Sequence, residues 1–436
     1  MNIGFLKLTN LVQEYISENH SSLLIEDENL TQLKSYIEKF IMDNDYTVKG
    51  YDDTQTINKL YSEMVEYSII TEYLKRKDLE EININAWNDI VITYRDGHLE
   101  KLESAFQSPE HAIDIVSRLL RHSGMTIDPA KPKAEGHLKF NARITAIISP
   151  IVDSDVAVSA SIRFLHNNNI TKRTLVDTGL ATMEMIEFLQ YCLKYGTSVV
   201  ISGITSSGKT TLLNCLAEDF PTDKRIYTIE SGARELDLVK KDENGKIINN
   251  VVHTLSKLSD HKEYSITQED LVVTSLRFNP DLDIIGEMRD TEAYSAVEQS
   301  LTGHTIATTV HARGGASAHM RIALLCQKRF PIDFNTTLLQ VAEAFPVVVH
   351  IHRMLNNERK ILSISECVVD ENANRHFNTL YRYNVTDNYT NEDGKIKIEG
   401  DFEKVNPISV DMVERMKHYG ISNEELSNFY EEDNNI

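Results

Sequence analysis

The chain has 436 residues, 41% of them hydrophobic and 25% charged, and a formal net charge of −21. That length holds two or three domains with cores of their own, at the composition of an ordinary globular protein. An acidic surface repels phosphate backbones, which argues against broad nucleic-acid binding, and no stretch approaches the roughly 18 consecutive apolar residues of a membrane helix, so no direct membrane insertion is expected.

Residues 1–20 carry one lysine and no apolar core ending in small residues, so they are not expected to act as a secretory signal. The four cysteines, Cys192, Cys215, Cys326 and Cys367, form no CxxC pair and sit among apolar neighbours. They read as small core residues of a reducing compartment, and no zinc site of paired spacing is encoded.

Residues 1–60 are acidic, with helical periodicity at Leu33, Tyr36, Ile37 and Phe40, and predict a helical extension with a packing or adaptor role. Residues 61–165 predict a mixed α/β domain. Ile82, Ile84, Trp87 and the run Ile90, Val91, Ile92 suggest strands, with Asp96-Gly97 as a turn. Ser108-Pro109-Glu110 opens a helix with a cap, a first-turn proline and an acid near its positive end, and Gly124 closes it. Two further strands cover Arg143 to Ile148 and Val158 to Phe164. On them Arg143 and Arg163 fall on the polar faces.

The polar run His166-Asn167-Asn168-Asn169 is the expected linker, over 166–170, and a hinge. Residues 171–385 predict a second domain. Leu180, Met183, Ile186, Leu189 and Leu193 mark a helix closed by Gly196. Strands at Ser198–Gly203, Ile226–Glu230, Leu282–Gly286 and Thr305–Val310 then alternate with helices. That order reads as a mainly parallel sheet flanked by helices. Asp283 interrupts an apolar strand and is expected to mark its start. Phe345–Met354 and Lys360–Val369 predict a late hairpin, and Lys240 to Lys246 an exposed turn. Residues 386–436 are expected to form an acidic tail with a disordered end.

Chemistry concentrates in one stretch. Gly203-Ile204-Thr205-Ser206-Ser207-Gly208-Lys209-Thr210 matches G-x-x-x-x-G-K-[ST] in full. The glycines let the backbone curl so that successive N–H groups point at phosphate oxygens. Lys209 neutralises the β and γ phosphates, the Thr210 hydroxyl suits magnesium, and the helix begun by Thr211 aims its positive end at the anion. Gly203, Thr205, Ser206, Ser207, Gly208, Lys209, Thr210 and Thr211 are thus the expected ATP-binding residues. Hydrolysis also needs an oriented water. Glu287, at the end of Leu282-Asp283-Ile284-Ile285-Gly286, is the candidate, although Gly286 stands where many such ATPases carry a magnesium-side aspartate. Glu230 ends a neighbouring strand and is expected to hold magnesium through water.

Four segments in order now resemble a family: the phosphate loop, Thr228-Ile229-Glu230 with Glu235, Gly286-Glu287-Met288-Arg289, and Thr302-Gly303-His304 through Val310-His311. They resemble Walker A, the Asp box, an atypical Walker B and the His box of the type II and type IV secretion ATPases, in a branch that includes the VirB11-like and Tad-pilus ATPases. The likeness runs from about Glu81 to Val369. It implies a hexameric ring with ATP and Mg2+ bound between an N-terminal domain and a RecA-like C-terminal domain. It implies Glu287 as the catalytic glutamate, His311 as the γ-phosphate sensor, His304 as the first histidine of its box, and Arg143 and Arg163 as arginines that reach the nucleotide. It also implies a cytoplasmic protein held at the inner face of a membrane machine by platform proteins. The cysteine-based zinc module frequent in the type II branch is absent.

His304 and His311 are seven residues apart on a strand-like segment, which puts them on opposite faces and excludes a shared metal. Arg289, Arg313 and Arg321 suit either structural ion pairs or contacts to nucleotide or a neighbouring subunit. Three functions compete: a motor driving secretion, conjugative transfer or pilus assembly; a soluble phosphotransferase, for which no lid is evident; and an ATP-binding switch, against which Glu287 argues.

Overall fold

A computed structural model describes residues 2–20, 30–121, 123–138, 142–165, 170–232, 234–257, 262–392 and 394–430. The chain divides into two units, residues 1–166 and 167–436. Of the expected linker at 166–170, residues 166–169 lie outside the described residues.

The first unit begins with β1 (Asn2–Ile3), α1 (Phe5–His20), α2 (Leu30–Asp43), β2 (Thr47–Val48) and α3 (Asp53–Met64). Leu8, Val12 and Ile16 of α1 face Leu33, Ile37 and Ile41 of α2 and Leu60 of α3 in one small core. The spacing of four puts each trio on one helix stripe. Asp52 starts α3 with a capping box, its side chain accepting from Gln55 N.

Then follow α4 (Thr71–Leu74), β3 (Leu79–Ala86), β4 (Asp89–Tyr94), β5 (Leu99–Lys101), α5 (Pro109–Arg121), β6 (Lys133–Leu138), β7 (Ala142–Ile148) and β8 (Val158–Phe164). The strands form a six-stranded antiparallel sheet in the order β5-β4-β3-β8-β7-β6. The apolar alternation of β7 and β8 buries Ile144, Ala146, Ile148, Val158, Ala160 and Ile162 against α5. Arg143 and Arg163 therefore fall on the other face.

The second unit contains α6 (Lys172–Asp177), α7 (Met183–Lys194), β9 (Val199–Gly203), α8 (Lys209–Glu218), β10 (Arg225–Ser231), β11 (Asn250–Ser256), α9 (Gln268–Ser275), β12 (Leu282–Ile285), α10 (Glu292–Leu301), β13 (Ile306–Val310), α11 (Gly315–Cys326), α12 (Phe334–Ala344), β14 (Val347–Arg353), β15 (Arg359–Val369), β16 (Arg375–Thr390), β17 (Ile396–Lys404), α13 (Val410–His418) and α14 (Asn423–Leu426). Its nine strands run β11-β10-β12-β13-β9-β14-β15-β16-β17. The first six are parallel, and the last three form an antiparallel meander. The central strands are apolar on both sides because both faces are covered. Val199 and Ile201 of β9 join a core with α7 and α8, while Val200 between them joins a core with α10, α11 and α12.

The fold class read from the sequence is the observed one. Two expectations differ from the structure. Residues 386–392 and 394–430 are no tail: they complete β16 and form β17, α13 and α14. Ile408, Met412, Val413, Met416, Ile421, Leu426 and Phe429 are buried against α7, with the Phe429 ring 5.4 Å from that of Phe188. The acidic composition of this segment sits on its outer face and hides the apolar stripe that docks it. Residues 431–436 lie outside the described residues. Asp283 does not mark a strand start but lies fully buried inside β12, where Gln299 Nε2 donates to its Oδ2 at 2.6 Å.

Candidate functional site

In a parallel sheet the carboxyl ends of neighbouring strands share one edge, and loops leaving them converge. The register Ile229↔Ile285, Ile285↔Thr308 and Thr308↔Val200 aligns β10, β12, β13 and β9. Glu230, Glu287, His311 and the loop after Gly203 therefore leave the same edge.

The phosphate loop has the backbone its sequence requires. Ser206 and Gly208 adopt left-handed φ values of 60° and 97°. Gly208 caps α8 without any side-chain hydrogen bond to the helix N–H groups. A Cβ at Gly203 would come within 2.5 Å of Ile351 O, so only glycine fits there. Ser207 is buried and its Oγ donates to Ile204 O at 2.8 Å, closing the loop on itself. Thr205 is exposed, and Thr210 and Thr211 lie half-buried in the first turn of α8.

Lys209 is 7% exposed, and its Nζ donates to Gly203 O at 3.1 Å and Ile204 O at 2.9 Å. Its pKa is lowered chiefly by burial, with Glu287 opposing that shift and Arg289 adding to it. A buried ammonium bonded to neutral carbonyls favours an arriving anion. The cradle thus fits a polyphosphate by its curled backbone, its open helix end and its partly desolvated lysine.

The remaining groups form a chain from Lys209. His311 Nδ1 lies 3.4 Å from Lys209 Nζ, and His311 Nε2 lies 3.1 Å from Glu287 Oε1. An ammonium can only donate, so Nδ1 accepts, and the imidazole proton assigned by this network sits on Nε2, donating to Glu287. The His311 pKa is lowered, first by burial, against the raising effect of Glu287. Arg289 Nη2 donates to the other carboxylate oxygen of Glu287 at 2.6 Å. One carboxylate is thereby held by a neutral imidazole and a guanidinium, beside the lysine.

Glu230 is buried at 4% exposure. Its Oε1 accepts from Glu235 N at 2.7 Å and Leu236 N at 3.0 Å, while Oε2 has no hydrogen-bond partner among the described residues. Burial pushes its pKa up to about 7 against the pull of those two N–H groups. A Cβ at residue 286 would stand 3.3 Å from Glu230 Cγ. The glutamate side chain thus lies alongside Gly286, where the sequence lacks an aspartate.

His304 is not part of this cluster. It precedes β13, whereas His311 follows it, so an extended chain separates them by about 23 Å, at opposite edges of the sheet. Among the described residues no group of three or more His, Cys, Asp or Glu could hold a metal ion, and all four cysteines are buried and free. Arg313 and Arg321 are exposed, the former after β13 and the latter on α11.

In the first unit Arg143 and Arg163 are direct cross-strand partners, both half-buried. Arg163 Nη2 reaches Glu80 Oε1 at 3.4 Å.

The sequence missed Arg359. Its Nε donates to Ser206 O at 3.3 Å from a hairpin distant in the chain, and no motif signals that approach.

The chain is 27% identical over 253 residues to an uncharacterized protein of Methanocaldococcus jannaschii, covering 58% of this chain and 43% of that one. A second protein of that organism is 27% identical over 311 residues, covering 70% and 41%. The chain thus spans about four-tenths of the length of these relatives. It is 25% identical over 313 residues to the type IV secretion system protein VirB11 of Bartonella quintana, covering 63% and 85%. Among solved structures, the DotB ATPase of Legionella pneumophila matches with a TM-score of 0.49 at 22% identity, covering 70% and 80%. The VirB11 ATPase of Brucella suis in complex with sulphate matches with a TM-score of 0.35 at 21% identity, covering 67% and 94%. The family model described as type II/IV secretion system protein matches residues 63–405, which takes in the antiparallel sheet, the phosphate loop and every residue of the Lys209–His311–Glu287–Arg289 chain. The chain belongs to that type II/IV secretion family.

Proposed function

We propose that this chain is an ATP-hydrolysing motor that assembles as a hexameric ring and powers type IV secretion, conjugative transfer or pilus assembly. The observation that carries the reading is the Lys209–His311–Glu287–Arg289 chain beside a phosphate loop with an open helix end. Thr210, with Glu230 through water, would hold Mg2+, which when bound supplies charge neutralisation between the phosphates.

The protein's own groups then have distinct tasks. The loop N–H groups and Lys209 bind and orient the phosphates. Lys209 must leave the carbonyls of Gly203 and Ile204 to do so. Glu287 orients the attacking water and receives its proton at a carboxylate oxygen. His311, neutral and donating from Nε2, aims that carboxylate and senses the terminal phosphate. In this reading Arg143 and Arg163 add guanidinium groups to a bound nucleotide. His304 has no part in this reading.

No helix among the described residues is long and apolar enough to cross a membrane; in this reading platform proteins hold the chain at the cytoplasmic face of a membrane machine. The formal charge of −21 supports a motor that does not itself grip nucleic acid broadly.

The test is ATP turnover per chain, with magnesium, over a range of protein concentrations, beside Glu287→Gln. Turnover that rises with concentration and vanishes in the variant supports the ring motor. Turnover unchanged by the substitution removes Glu287 from the chemistry. Binding without turnover at any concentration favours the ATP-binding switch instead.

A further inference from the structure

The β14–β15 hairpin lays an arginine on the phosphate loop. Arg359 is exposed, and its Cδ lies 3.1 Å and its Nε 3.7 Å from where a Cβ on Gly208 would stand. The aliphatic stem therefore covers the glycine that caps α8, and the guanidinium sits at the helix's positive end.

This placement is built, not incidental. In the turn, Met354 N donates to Glu358 O at 2.7 Å, Asn357 takes a left-handed φ of 66°, and Asn357 Oδ1 accepts from Arg353 Nη2 at 2.8 Å. Behind it, β14 runs in parallel register with β9, with Ile351 opposite Gly203. Hairpin and phosphate loop thus pack as one piece.

The amino-terminal end of α8 and Lys209 both favour an anion at this point, and Arg359 brings a guanidinium fork to the same place.

The flank matters. In the strand order β12-β13-β9-β14, Glu287 and His311 approach the loop from the β13 side, and Arg359 approaches from the β14 side. Chemistry at the terminal phosphate belongs with Glu287, and Arg359 lies on the opposite flank of the loop.

We propose that Arg359 is a further nucleotide ligand, binding the phosphates that ATP and ADP share. The inference rests on reading the phosphate loop as a nucleotide site. It predicts an effect on affinity, not on the chemical step.

The test is calorimetric titration of the full chain with ATP and with ADP, in magnesium, for wild type, Arg359→Ala, Arg359→Lys and Lys209→Ala, with turnover and unfolding temperature alongside. Arg359→Ala should weaken ATP and ADP alike by about tenfold, the worth of one charge-assisted hydrogen bond. Arg359→Lys should recover part of that loss. Turnover at saturating ATP and the unfolding temperature should stay near wild type. Wild-type affinity in Arg359→Ala, with binding lost in Lys209→Ala, overturns the role of Arg359 and leaves the phosphate loop standing. Weakened binding together with a lowered unfolding temperature, unrelieved by lysine, makes Arg359 a structural brace and also overturns it. Failure of the wild type to bind either nucleotide removes the underlying reading itself.

Discussion

Gly286 lacks a side chain where Glu230 lies alongside it: a Cβ there would sit 3.3 Å from Glu230 Cγ and 3.6 Å from Ile229 O. Gly286 N is bonded to Ile229 O at 2.9 Å, and Gly286 O accepts from Thr309 Oγ1 at 2.7 Å. The backbone is pinned from both neighbouring strands and cannot shift to make room. Gly286→Ala should therefore destabilise the second unit by about 1–3 kcal/mol through overpacking, and Gly286→Asp by more, because it adds a second carboxylate beside a buried one. Denaturant unfolding measures both. An alanine variant as stable as wild type would mean that Glu230 moves aside freely.

Glu230 should make stability depend on pH. Burial raises its folded pKa to about 7 from an ordinary 4.5, so between those values the folded state binds more protons than the unfolded state. Stability falls as pH rises through that window, by an upper bound of about 3 kcal/mol. Glu230→Gln keeps an oxygen to accept from Glu235 N and Leu236 N and removes the titration. Unfolding curves of the two proteins should agree below pH 4.5 and diverge up to pH 7, with the variant the more stable. Parallel curves would show that Glu230 stays ionised throughout.

Removing Arg289 should move the histidine. The guanidinium is one of the charges that hold the His311 pKa down, so Arg289→Met should raise it. The readout is the pH titration of the His311 ring by nuclear magnetic resonance, which does not depend on turnover. A fall, or no movement, would contradict the arrangement around Glu287.

The C-terminal helices should stabilise the second unit. Met416 of α13 is fully buried against the α7 core, and Met416→Ala should cost about 2–5 kcal/mol. An exposed control on the same helix, Glu414→Ala, should cost little. Thermal unfolding of both variants decides whether residues 406–430 are an integral layer or a loose appendage.

Much of the architecture is legible in the sequence because it is written locally. The apolar runs at 199–203, 226–230 and 306–310 are too continuous for a half-exposed strand, and both their faces are indeed covered. The C-terminal layer was hidden because Met412, Val413 and Met416 are a short stripe in an acidic, charged segment. Asp283 misled because a carboxylate inside an apolar strand is tolerable only with a partner. That partner, Gln299, comes from α10 and leaves no local trace.

By itself the sequence determined the phosphate loop, since the spacing of Gly203, Gly208, Lys209 and Thr210 is a property of eight consecutive residues and their permitted backbone angles. It also determined which segments carry carboxylates and histidines at strand ends. Only the tertiary structure decided which of these meet. Parallel register aligned the ends of β10, β12, β13 and β9, bringing Glu230, Glu287 and His311 to one edge and leaving His304 at the other. The β14–β15 turn brought Arg359 to Ser206 across 153 residues of chain. Such approaches depend on sheet order and hairpin packing, which no local pattern of residues specifies.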